Sequence, residues 1–142
     1  MSWFPKTNVL VPVDFSNRSM EAVDVGLSLV SDPTQLHVIN VGPDIVSGDP
    51  GFGWKPLEAA TRRGQITQAI MDRLNEPRHQ GIQIHIKFGD PGNEIASFAE
   101  ENDMELIVMP SHGRTGLKRL LIGSVAERVL RLAHCPVLVL RK

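Results

Sequence analysis

Apolar and polar residues alternate in blocks along this chain, and the length and period of each block separate strands from helices. Asn8–Val13 is a short apolar, β-branched run that reads as a buried strand, with Pro12 better placed at its end than in its middle. Ser16 offers an N-cap, and Met20, Val23, Leu27 and Val30 recur at helical spacing as far as Val30. Ser31–Thr34 is a turn cluster and Leu36–Val41 a second strand. Ile66, Ile70 and Leu74 predict a helix over Leu57–Leu74. Ile82–Phe88 alternates strictly, as a strand with one wetter face does. A turn at Gly89–Gly92 leads into a helix over Asn93–Glu101, with Ile95, Phe98 and Ala99 inward. Glu105–Met109 is a fourth strand, Ser124–Ala133 a last helix and Pro136–Leu140 a fifth strand.

Strict alternation of short apolar strands with helices predicts the α/β class: an open five-stranded parallel sheet with helices on both faces and right-handed crossovers. The 142 residues suit one domain spanning 1–142. Ligands of such sheets sit beyond the carboxyl ends of the strands, where strand order reverses. That rule selects three places: after Val13, after Val41 and after Met109. Residues 42–56, rich in Gly and Pro through Gly48–Gly53, form a long loop of the kind that is mobile or functional.

Composition narrows the function classes. Hydrophobic residues at 42% and charged residues at 22% are ordinary globular values and argue against disorder. No apolar run approaches a membrane span, and the N-terminus lacks the build of a signal peptide, so the expectation is a cytosolic protein with no membrane partner. Cys135 is the sole cysteine, which excludes an intrachain disulfide. With no tyrosine and few aromatics, platforms for stacking bases are missing, which argues against nucleic acid. Charge is uneven. Pro110–Lys142 holds seven basic residues and one acidic, against eight basic and fifteen acidic before it. This excess suits an anionic ligand or is a solvated basic face.

The segment Pro110–Ser124 follows a strand and leads into a helix. Ser124 reads as an N-cap, with Glu127 at capping-box spacing. Gly123 lets a ligand approach the backbone closely, and Gly113 and Gly116 allow φ > 0, which turns successive amides toward one anion. The helix start adds its dipole, and Arg114 and Lys118 add mobile positive charge. These features make either a phosphate cradle or a capped helix behind a flexible loop. Asp14, at the end of the first strand, is placed to accept hydrogen bonds from a ribose or to cap the first helix. Walker A, dinucleotide and nucleophile-elbow patterns are absent. The five histidines (His37, His79, His85, His112, His134) show no metal-ligand spacing. Cys135 reads as a small core residue rather than a nucleophile.

These residues resemble the universal stress protein family across essentially the whole chain. The resemblance rests on Val11–Ser16, Leu36–Ile39, Gly89–Pro91, Ser111–Gly116 with Gly123–Val129, and Cys135–Val139. It implies a Rossmann-like sheet of the adenine nucleotide alpha-hydrolase type, and a homodimer joined through the last strand, Pro136–Leu140. It also implies ATP or AMP as ligand, with or without Mg. The nucleotide-binding motif is Gly, two residues, Gly, nine residues, then Gly-Ser or Gly-Thr. Gly113, Gly123 and Ser124 match it, while Pro110 replaces the first glycine and has no N–H to donate. On this resemblance Asp14 holds the ribose, Pro12 and Val13 line the same wall, and Val38 meets adenine through its backbone. Met109, Pro110 and Gly113 line the phosphate loop, and Gly123, Ser124 and Val125 bind phosphates. Arg114 is an extra charge contact suggested by its position.

The expected function is an adenine-nucleotide-binding regulatory module of the stress response with little or no hydrolysis, since no residue looks like a poised general base. One alternative is an interaction module that binds a protein partner without nucleotide, favoured by Pro110 and the loop around Trp54. The other is a slow ATPase.

Overall fold

The computed structural model describes residues 3–43, 56–112 and 122–141. In chain order the elements are β1 (Val9–Pro12), α1 (Asn17–Ser28), β2 (Leu36–Gly42), α2 (Pro56–Arg73), β3 (Gln83–Phe88), α3 (Pro91–Glu101), β4 (Leu106–Pro110), α4 (Ser124–Leu132) and β5 (Val137–Leu140). All five strands join one parallel sheet in the order β3-β2-β1-β4-β5. This is the α/β architecture expected from the alternating blocks.

Because side chains alternate along a strand, the sheet feeds two cores. Val9, Val11, Val38 and Val108 join Val23 of α1 and Ile70 of α2 on one face. Leu10, Ile39, Ile107 and Met109 join Ile95 and Phe98 of α3 and Val129 of α4 on the other. The central strands are buried on both faces, which is why they read as continuous apolar runs.

Most element ends fall within a residue of the expected positions, and the larger differences and the cap of α4 have visible causes. Helix α1 stops at Ser28, before Val30, because the chain turns outward to pair: the Lys6 amide donates to the Leu29 carbonyl at 2.8 Å and Lys6 bridges Val30. Helix α3 begins earlier than Asn93, within the segment read as a turn. Asp90 is its cap, accepting from the Asn93 amide, and Pro91 takes the first helical position, where its missing N–H is harmless. Ser124 is not the cap of α4. Gly123 occupies that position, with φ −74° and ψ 165°, and Ser124 is the first residue inside the helix. The capping box with Glu127 is therefore not formed, and Glu127 instead pairs with Arg131 one turn on.

Candidate functional site

The strand order reverses between β1 and β4, which are adjacent in the sheet although distant in sequence. Two of the three places selected from the sequence, after Val13 and after Met109, flank that switch point. The third, after Val41, does not, because β2 lies between β1 and β3.

Both central strands end on proline, and this shapes the rim. The amides of Ile107 and Ser111 donate to Pro136 and Leu140 of the β5 segment, so the alternate residue Pro110 turns its backbone nitrogen toward β1. The Val13 amide donates to Ile39, so Pro12 turns its nitrogen toward β4. Neither proline has a proton to give. The outer ladders accordingly run on to Pro12↔Ile39 and Pro110↔Leu140, while the central one stops at Leu10↔Ile107. Pro110 has no donor to offer β1, while its β5 side stays paired. It leaves β1 and β4 unzipped at their carboxyl ends.

The β1 side of the rim is a network around Asp14. Its Oδ1 accepts from the Ser16 amide at 3.0 Å and the Ser16 hydroxyl at 2.5 Å. The Asp14 amide donates to Ser19 Oγ at 3.3 Å, and Ser16 Oγ caps α1 by accepting from the Ser19 amide at 3.1 Å. The Asn40 amide group donates to the Val13 carbonyl at 2.8 Å, tying the end of β1 to β2. Asp14 thus supports the first turn of α1. Between Asp14 and Ser16, Phe15 has φ 67°, a left-handed conformation that costs an L-residue roughly 1–2 kcal/mol.

The β4 side is built on Ser111, which is buried. Its carbonyl accepts from the Gly123 amide at 2.6 Å, clamping the start of α4 to the end of β4. A Cβ on Gly123 would stand 3.1 Å from that carbonyl and 3.4 Å from His112 Cα, so the chain itself crowds any side chain here. The Ser111 hydroxyl lies 3.2 Å from His112 Nδ1. As a cap, Gly123 has no side chain to accept from the first amides of α4, those of Ser124, Val125 and Ala126. Helices α1 and α3 are capped by Ser16 and Asp90.

Of the residues selected from the sequence, Pro12, Val13 and Asp14 lie at the end of β1, Met109 and Pro110 at the end of β4, and Gly123, Ser124 and Val125 at the start of α4. Val38 lies on β2, fully buried and in register with Val11 and Ile84, and Asn40, two residues on, reaches the Val13 carbonyl at the end of β1. Gly113 and Arg114 lie outside the described residues, as do Gly116, Lys118 and Trp54. Sequence reasoning missed Asn40, whose signal was a polar side chain near the end of an apolar strand. It also missed Ser19 and Phe15.

Elsewhere, His37 and His85 stack across β2 and β3, with ring nitrogens 2.9 Å apart, and His85 lies against Phe98. Burial pushes both imidazoles below the ordinary histidine range, and the neighbouring His37 and Lys87 lower His85 further. Burial raises the Cys135 thiol, which suits a packing role rather than a nucleophile. Among the described residues no group of three or more His, Cys, Asp or Glu could hold a metal ion, and no helix is long and apolar enough to cross a membrane.

The family model for the universal stress proteins matches residues 6–141. The chain belongs to the universal stress protein family. As a universal stress protein it is similar to universal stress protein MJ0531 of Methanocaldococcus jannaschii, with 36% identity over 94% of this chain and 81% of the relative. Among solved structures, universal stress protein UspA from Lactobacillus plantarum superposes with a TM-score of 0.71 at 24% identity, covering 96% of this chain and 98% of that one. A universal stress protein in complex with cAMP superposes with a TM-score of 0.64 at 20% identity, covering 96% and 98%. These likenesses bear out the fold and the family expected from the sequence motifs.

Proposed function

We propose that this universal stress protein binds an adenine nucleotide, ATP or AMP, across the switch point between β1 and β4, and acts as a cytoplasmic regulatory module rather than a turnover enzyme. The carrying observation is that no side chain among the described residues caps the start of α4. The amides of Ser124, Val125 and Ala126 stand at the unzipped end of the sheet, in a stretch of sequence rich in basic residues. A phosphate there takes the place of a cap and meets the positive end of the helix dipole. The Asp14 network on the opposite wall receives the ribose, the Val38 backbone on β2 meets the adenine, and Asn40 lies beside them at the end of β1. Pro110 supplies no amide, so the phosphates depend on the α4 amides and on the loop of Gly113 and Arg114. Protein denatured after purification should release ATP or AMP into the supernatant. Absence of nucleotide, together with no ATP binding by calorimetry at millimolar concentration, sinks the reading.

A second reading rests on β5. It is an edge strand, Leu138 is 37% exposed, and the backbone groups of Val137 and Val139 face away from β4. Antiparallel pairing of two β5 strands would cover this edge in a homodimer and leave room for a protein partner that recognises the dimer without nucleotide.

A further inference from the structure

We infer that Arg73, at the end of α2, is a positioning residue for Asp14, acting through the backbone of Phe15. The inference rests on the reading that the Asp14 wall receives the nucleotide. Arg73 and Phe15 are 58 residues apart in sequence, yet an Arg73 guanidinium nitrogen donates to the Phe15 carbonyl at 2.8 Å. The guanidinium carbon also stands 5.4 Å from the centre of the Phe15 ring. One side chain therefore grips both the carbonyl and the ring of the residue held at φ 67°. A planar guanidinium can donate and stack at once, which an ammonium cannot. Phe15 lies between Asp14 and Ser16, whose hydrogen bonds orient the carboxylate, so relaxing Phe15 to negative φ would pull those partners apart. Arg73 is exposed and far outside the motif that carries the phosphate loop.

The test is a double-mutant cycle with Phe15→Gly, because glycine adopts positive φ without strain. ATP affinity is measured for wild type, Arg73→Met, Phe15→Gly and the double variant. Amide NMR spectra of the nucleotide-free proteins report the Ser16 and Ser19 resonances. Arg73→Met should weaken ATP binding by about tenfold in the wild-type background, within the range of couplings between contacting residues, and change it less than about twofold beside Phe15→Gly. The Ser16 and Ser19 amides should move in Arg73→Met and not on adding that change to Phe15→Gly. Should Arg73→Met fail to fold, Arg73→Gln carries the same measurement. Equal losses of affinity in both backgrounds, or unmoved amides in Arg73→Met, overturn the inference. If the wild type binds no ATP, the nucleotide reading fails by itself, and the amide shifts alone decide the role of Arg73.

Discussion

The Gly123 amide donates to the Ser111 carbonyl at 2.6 Å, and this one bond joins the end of the central strand β4 to the first turn of α4. It places the start of the helix at the reversal of strand order, and the crowding there sets what residue 123 can be. Gly123→Ala puts a methyl 3.1 Å from a backbone carbonyl, which must give by a few tenths of an ångström and strain the clamp. The expected cost is about 1–3 kcal/mol, typical of overpacking. Gly64, inside α2 with nothing within 4 Å of its added Cβ, is the control: Gly64→Ala should stabilise by roughly 0.5–1 kcal/mol. Urea denaturation of the two variants checks the opposite signs.

Ser16 holds two roles, capping α1 and donating to Asp14. Ser16→Ala should cost about 0.5–2 kcal/mol through the lost cap. It should also weaken nucleotide binding, because Asp14 loses a partner that orients it. Ser28→Ala, at the other end of α1 and exposed, should leave binding unchanged. Calorimetric ATP titrations of the two variants separate the effects.

The paired imidazoles of His37 and His85 make stability depend on pH with a definite sign. Their folded values lie below the ordinary histidine value of 6.5, so the folded state favours the neutral rings. Their contribution is complete above pH 6.5 and is lost as pH falls below it toward the folded values, because the unfolded chain then binds more protons. Lys87, on the same strand as His85 and lying over Phe98, adds to the penalty for a charged pair. Urea midpoints measured between pH 7.5 and pH 5 (a window set by the histidine reference of about 6.5) should fall for the wild type. They should fall less for His37→Leu with His85→Leu.

At the sheet edge, Leu138→Lys places a charge where two β5 strands would meet. The expected outcome is a shift from dimer to monomer in sedimentation velocity, with the urea midpoint of the monomer nearly unchanged, since Leu138 is already partly exposed.

Much of the fold was legible because short apolar runs and helical spacing are local signals. The ends were misread where distant residues decide them. Lys6 ends α1 by pairing with Val30, and Ser111 makes Gly123 rather than Ser124 the cap. The candidate site was legible where its residues sit at strand ends and helix starts, as Asp14, Pro110 and Ser124 do. Pro110 looked like a defect in a motif. In the sheet it faces β1, as Pro12 faces β4, and together they end the central ladder. Arg73 was out of reach because nothing within its own helix signals a partner in the β1–α1 turn. Val38 came from the family resemblance alone, since a valine buried in a strand carries no local sign of a ligand.

A phosphate at the start of α4 should be displaced by Ser124→Asp. An acidic residue in the first turn favours the helix by about 0.3–1 kcal/mol and repels a phosphate at the same amides. The measurement is the melting temperature of wild type and variant with and without millimolar ATP. ATP should raise the wild-type melting temperature by linkage, and the variant, at least as stable by itself, should show no ATP-dependent rise. No shift in the wild type, or an equal shift in both proteins, would contradict a phosphate at the start of α4.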